Sequence, residues 1–204
     1  MDLKSTYNKI AGDWFDDHKE DTWWKPSVGL FTAFLTKGDT VLDVGCGPGI
    51  TSKYLQSKGL HVLGIDFSEE FILIAKKETP SADFRVVDLH SHDDLKSLPR
   101  VKGILAKAVF LHMEKKKVLD ILKTLCEHLK CGGYFYIAVK EKKPQGSEEE
   151  VLKENDYGYT YERFFSYYTL SEVQKLFKEC DLKVVHDEIF TPHKTSWVIV
   201  IGQK

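Results

Sequence analysis

Apolar residues recur along this chain at two spacings, and the two spacings alternate. Tyr7, Ile10, Ala11, Trp14 and Phe15 fall at helical intervals and predict an amphipathic helix over residues 7–18. Pro26 opens a second helix through Leu30, Phe31, Phe34 and Leu35, and Gly38 ends it. From residue 40 the pattern changes. Short apolar runs predict strands at 40–44, 60–65, 84–87, 101–106 and 134–139, with helices at 51–58, 68–77 (Ser68 as N-cap) and 114–129. Strands separated by helices at this spacing are βαβ units of a parallel sheet with right-handed crossovers. The strand runs are almost continuously apolar, as expected when helices cover both faces. The polar stretch 141–156, with Pro144, Gly146 and Glu148-Glu149-Glu150, reads as a long loop or a short exposed helix. A helix at 170–180 follows, then strands at 183–189 and 196–201 with no helix between them, so these two pair antiparallel.

Composition narrows the function classes. With 204 residues the chain is expected to form one domain with a short appendage. The net charge of −2 lacks the basic surplus that drives binding to phosphate backbones, so no nucleic-acid partner is expected. Lys115-Lys116-Lys117 reads as a solvated helix face. Cys46, Cys126, Cys131 and Cys180 form no CxxC pair and fit reduced thiols in a cytoplasmic protein. The N-terminus, from Met1 and Asp2 to Thr6, has no basic-then-apolar signal pattern, and no run reaches the ~20 apolar residues of a membrane span. Membrane attachment is therefore not expected.

The chemistry gathers at the strand ends. Asp43-Val44-Gly45-Cys46-Gly47-Pro48-Gly49 follows the first strand and precedes a helix, where glycines let the backbone turn sharply and approach a ligand. No Gly-Lys-Ser or Gly-Lys-Thr follows, which excludes a P-loop. A dinucleotide fingerprint calls for Gly or Ala where this chain has Ile50, and Asp43 would face a pyrophosphate at short range. A carboxylate there suits a ligand carrying an ammonium and a sulfonium instead, as S-adenosylmethionine does. Asp66 ends the second strand, about 20 residues beyond the glycines, where an acid accepts hydrogen bonds from ribose hydroxyls. Phe67 follows it as a packing surface for adenine, and Asp88 puts a third carboxylate at the same sheet edge.

These motifs resemble those of class I S-adenosylmethionine-dependent methyltransferases. Val41 to Gly49 is similar to the family's first signature, Gly64-Ile65-Asp66-Phe67-Ser68 and Val87-Asp88 to its second and third, and Leu129-Lys130-Cys131-Gly132-Gly133 to the turn before its fifth strand. The family commonly has proline where this chain has Cys131. The resemblance implies an α/β, Rossmann-like three-layer sandwich with a seven-stranded, mostly parallel sheet, its last strand antiparallel, under N-terminal lid helices. It implies a layout of lid helices over 1–37, a cofactor-binding half over 38–140, and an acceptor side over 141–204. It also implies that Asp43 and Gly45 lie near the methionine portion of the cofactor, with Cys46, Gly47, Gly49 and Ala106 among the residues that bind it. Asp66 then holds the ribose, Phe67, Asp88 and Leu89 surround the adenine, and Trp14 closes the site.

The acceptor end is less determined. Methyl transfer is an in-line displacement that depends chiefly on alignment, so the absence of a triad is not evidence against it. After the fourth strand, Val109-Phe110-Leu111-His112-Met113 has neither the Asn/Asp-Pro-Pro-aromatic motif of DNA-amino or glutamine methylation nor the Pro-Cys of cytosine methylation, and resembles small-molecule enzymes better. His112 is the candidate polar group toward the acceptor, and a histidine packed under the next helix is an equal reading. Tyr7 belongs to an aromatic stretch able to cradle an acceptor, while Lys140 and Arg163 supply positive charge for an anionic one; core packing and solvated charge remain the alternatives. His90-Ser91-His92-Asp93-Asp94 reads as a capped helix start, so no metal is expected. Two functions remain open: an enzyme methylating a small molecule, as monomer or homodimer, or a module of this fold that binds the cofactor without turnover. An acceptor cavity that is open and polar separates the first from the second.

Overall fold

The apolar runs become adjacent strands of one sheet. The computed structural model describes residues 3–204; Met1 and Asp2, the start of the polar N-terminus, lie outside the described residues. After helices α1 (Leu3–His18) and α2 (Lys25–Ala33), the chain alternates β1 (Thr40–Val44), α3 (Ile50–Ser57), β2 (His61–Asp66), α4 (Glu69–Glu78) and β3 (Asp83–Val86). The short α5 (His92–Lys96), β4 (Val101–Lys107), α6 (Lys115–His128) and β5 (Leu129–Lys140) complete the parallel part. A hairpin of β6 (Glu149–Glu154) and β7 (Tyr161–Ser166) follows, then α7 (Leu170–Glu179), β8 (Lys183–Phe190) and β9 (Trp197–Gln203).

The seven-stranded sheet has the order β3-β2-β1-β4-β5-β9-β8, with β9 antiparallel to both its neighbours. This is the Rossmann-like arrangement expected from the sequence. The strand order reverses between β1 and β4, and ligands of open α/β sheets bind in the crevice at such a point, beyond the carboxyl ends of the strands. Alternate side chains of β5 show the three layers. Phe135 meets Phe177 of α7 with ring centroids 6.1 Å apart, whereas Tyr136 meets Phe31 of α2 at 5.8 Å and bonds Ser27 at 2.9 Å. Leu42, Ile104, Leu105, Ala106, Phe135 and Ile199 are wholly buried, which explains why the strands carry no polar alternation.

Local signals place the helices. Ser68 caps α4 by accepting from the amide of Phe71, and Ser91 caps α5 by accepting from that of Asp94. In the lysine run, Lys116 and Lys117 pair with Glu114 at the surface. Lys115 is half-buried and bridges Glu148 and Glu172, so it is structural and not merely solvated. No helix of the described residues is long and apolar enough to cross a membrane.

The segment 141–156 departs from its prediction. It is neither loop nor helix over its second half: β6 pairs antiparallel with β7, from Glu149 opposite Ser166 to Glu154 opposite Tyr161. Its alternation is real but hidden, because charged side chains occupy both faces and only Glu150, Leu152 and Glu154 turn inward. The hairpin docks on α1, where Thr6 Oγ1 donates to the carbonyl of Glu162 at 3.2 Å and the Tyr159 hydroxyl donates to Asp13 at 2.7 Å. Together α1 and the hairpin roof the carboxyl end of β4.

Candidate active site at the carboxyl edge of the sheet

Between that roof and the sheet edge lies a cavity of about 870 Å³. Its floor is the loop after β1. Gly45 and Gly47 have φ of 62° and 53°, a left-handed backbone in which other L residues are strained. A Cβ on Gly45 would lie 2.7 Å from Val109, whereas at Gly47 it would meet no atom within 4 Å. Gly47 therefore leaves bare backbone facing the cavity.

Two buried carboxylates flank the loop. Asp66 accepts from the amides of Gly47 and Ser68, each at 2.9 Å, and Asp43 accepts from the Ser52 hydroxyl at 2.6 Å. Burial pushes both up to about 6, since a charged carboxylate loses its hydration there. The amide bonds to Asp66, and the Ser52 bond with the charge of Lys107 at Asp43, offset only part of that cost.

Most residues singled out from the sequence line this one cavity: Trp14, Asp43, Gly45, Cys46, Gly47, Asp66, Phe67, Asp88 and Leu89 on one side, and Tyr7, His112, Lys140 and Arg163 on the other. Asp88 is exposed and accepts from the amide of His90 at 2.9 Å, while Leu89 is buried. The Cys46 thiol is buried and pushed well above its usual range. Trp14 stacks on His18 at 4.1 Å, in the roof. Gly49 and Ala106 are the exceptions to the expected placement, for neither is on the cavity wall. Gly49 caps α3 with φ of 81° against Ala75 and Phe84, and Ala106 is buried in β4 between Val44 and Ile137.

On the far side, His112 is held at both nitrogens. Nδ1 lies 2.8 Å from the carbonyl of Phe164, which only accepts, so Nδ1 carries the proton. Nε2 is then an acceptor, and the Tyr7 hydroxyl donates to it at 2.7 Å. Burial lowers the imidazole to about 3 and raises the Tyr7 phenol to about 12, so both stay neutral through the physiological range. Arg163, on β7, is clamped by Glu154 through two bonds of 2.5 Å, which neutralises its charge. Lys140, at the end of β5, has its ammonium 3.9 Å from the centre of the Phe165 ring, and burial lowers it to about 8.

Sequence reasoning passed over part of this wall. Lys107, the last residue of β4, lines the cavity beside Asp43, with its ammonium 5.6 Å from the rings of both Trp23 and Trp24. A charge directly after the apolar run Gly103 to Ala106 was the available signal. Trp197, read as core, is buried and also lines the cavity, stacked on Trp23 at 4.6 Å.

Comparison with known proteins decides the family, since the methyltransferase domain family matches residues 17–187. The chain belongs to that family. S-adenosylmethionine is the family's cofactor. This chain is 31% identical to the cypemycin N-terminal methyltransferase of a Streptomyces species over 149 residues, 67% of this chain and 57% of that protein. It is 32% identical to the ubiquinone biosynthesis O-methyltransferase of Hydrogenovibrio crunogenus over 89 residues, 40% of this chain and 36% of the relative. The chain thus spans little more than half, or less, of these relatives' lengths. The chain has the fold of the 1,6-didemethyltoxoflavin-N1-methyltransferase of Burkholderia thailandensis. That match has a TM-score of 0.77 at 19% identity and covers 99% of this chain and 87% of the other, which was solved with 1,6-didemethyltoxoflavin and S-adenosylhomocysteine. The cavity suits the family's cofactor in size, in its bare glycine backbone and in its buried acids.

Proposed function

We propose that this chain transfers the methyl group of S-adenosylmethionine to a small acceptor bound between the hairpin and the ends of β4 and β5. One observation carries the reading: a single cavity joins the glycine loop and its two buried acids to the Tyr7–His112 pair. When bound, the cofactor supplies a methyl carbon activated by a positively charged sulfur. Asp43 holds its ammonium, beside the backbone of Gly45, Cys46 and Gly47. Asp66 takes the ribose hydroxyls with the lone pairs its two amide bonds leave free. Phe67, Asp88 and Leu89 surround the adenine, and Trp14 helps exclude water.

The chain's work on the acceptor is alignment, which by itself contributes ~7–11 kcal/mol to reactions of this kind. The proton of Tyr7 is committed to His112 and Arg163 donates to the phenol oxygen, so one lone pair is left to accept from a hydroxyl or amine of the acceptor. His112 is too weakly basic to take a proton at neutral pH and acts by positioning Tyr7. Lys140, still mostly protonated at pH 7, anchors an anionic group of the acceptor. The relatives' names couple one to the N-terminus of cypemycin and the other to O-methylation in ubiquinone biosynthesis, so they favour no single acceptor atom. Phe110 is packed in the core and Phe164 is not on the wall, which supports turnover over a silent binding module, although Trp14 does line the cavity from the roof.

Calorimetric titration with S-adenosylmethionine, with NAD as control, tests the reading. Binding lost in Asp66→Ala supports it and justifies a methyl-transfer screen of small anionic hydroxy and amino compounds. Absence of binding to protein freed of copurified nucleosides sinks it.

A further inference from the structure

Lys107 is a charged group of the cavity wall that the proposed mechanism leaves unused, and unlike Arg163, which Glu154 clamps, it has no carboxylate bonded to it among the described residues. It lies on the face of the sheet that carries Asp43, because Asp43 is in register with Leu105 and side chains two residues apart share a face. Both side chains reach the same cavity. Burial lowers the lysine, and the charges of Asp43 and Asp21 push the other way. Among the described residues its ammonium has no ion-pair partner within 4 Å. Its near neighbours are the indoles of Trp23 and Trp24, which attract a cation but do not replace an anion. A buried ammonium left this way is costly unless an anion arrives.

We infer that Lys107 binds the carboxylate of the cofactor's methionine portion, so that Asp43 and Lys107 form a matched receptor for its ammonium and carboxylate. The inference rests on the cofactor reading above. The amino-acid end of S-adenosylmethionine presents one positive and one negative group on a single carbon. At this point the cavity presents one negative and one positive group at the ends of neighbouring strands. Lys107 is then a specificity-determining residue: it selects the intact cofactor over analogues that lack the carboxylate. Lys140 lies further along the edge, against Phe165 of the hairpin, and remains for the acceptor.

The test compares two ligands by calorimetry on the full chain. One is S-adenosylmethionine; the other is its decarboxylated analogue, S-adenosyl-3-methylthiopropylamine, which keeps the ammonium and adenosine. The wild-type protein is expected to prefer the intact cofactor by roughly 10–100-fold, the worth of one charge-assisted hydrogen bond. Lys107→Met is expected to erase that preference by weakening only the intact cofactor, and Lys107→Arg to restore most of it. Equal wild-type affinities overturn the inference, a result that needs no variant to fold. So does a Lys107→Met protein that keeps the wild-type ratio, which would assign the lysine to the acceptor instead. If the wild-type protein binds neither ligand, the cofactor reading fails and the inference falls with it.

Discussion

The hydroxyl of Tyr7, on the first helix, donates to Nε2 of His112 at 2.7 Å across 105 residues of sequence. The bond ties the roof of the cavity to the end of the parallel sheet. It also orients the phenol, since the other imidazole nitrogen is fixed on the carbonyl of Phe164. Tyr7→Phe removes one oxygen and nothing else. Once an acceptor is in hand, this change is expected to lower kcat about 100-fold, at the low end for groups that manage a proton in the transition state. The dissociation constant of S-adenosylmethionine, measured by calorimetry, should stay within about threefold. A matching loss of cofactor affinity would show that Tyr7 only holds the roof in place.

The histidine itself gives a test that needs no acceptor. Its folded value of about 3 lies below the unfolded 6.5, so the unfolded chain binds more protons between those limits and stability falls as pH drops through them. Nitrogen-15 NMR of the ring should report the neutral Nδ1–H tautomer down to about pH 5. An imidazolium signal at pH 6 would contradict the buried, doubly bonded geometry.

Cofactor affinity should depend on acid in the opposite region. Asp43 and Asp66 are raised to about 6, so below that pH both are protonated in the free protein and must lose a proton to engage an ammonium or ribose. Affinity is expected to be flat near pH 7 and to weaken below about 6 by up to tenfold per pH unit for each carboxylate. Calorimetry between pH 5 and 7 reads the slope directly. A flat profile would mean that these acids are already ionised.

Asp66 carries a structural load as well. Asp66→Ala leaves the amides of Gly47 and Ser68 without their acceptor, which costs about 1–3 kcal/mol for each such buried donor. Thermal unfolding should therefore move down together with the loss of cofactor binding. Asp43 bonds a serine hydroxyl and no amide, so Asp43→Asn should weaken binding with a smaller change in melting temperature.

The two loop glycines should separate strain from access. Gly47→Ala places a methyl in open space at φ of 53° and should cost about 1–2 kcal/mol of stability while weakening the cofactor at least tenfold. Gly45→Ala drives the same methyl within 2.7 Å of Val109 and should be clearly more destabilising in a denaturant titration. Equal melting temperatures for the two variants would contradict this.

The sheet was legible in the sequence because its determinants are local. Strands buried on both faces are short apolar runs, and Ser68 and Ser91 cap their helices with partners three residues away. The glycine loop and its acids were legible for the same reason, since each follows directly on a strand end. What the sequence by itself determined is therefore the alternation of strands and helices, the reversed final pair, and the glycine loop with its acids at one edge of the sheet. The tertiary structure decided the rest. The β6–β7 hairpin depends on a partner strand to reveal its pairing, because charged side chains occupy both faces of β6. The Tyr7–His112 bond, the clamp of Arg163 by Glu154, and the placement of Lys107 beside Asp43 join residues from separate elements. Such contacts leave no periodicity, because pairing across the sheet edge is set by how whole elements pack and not by spacing along the chain.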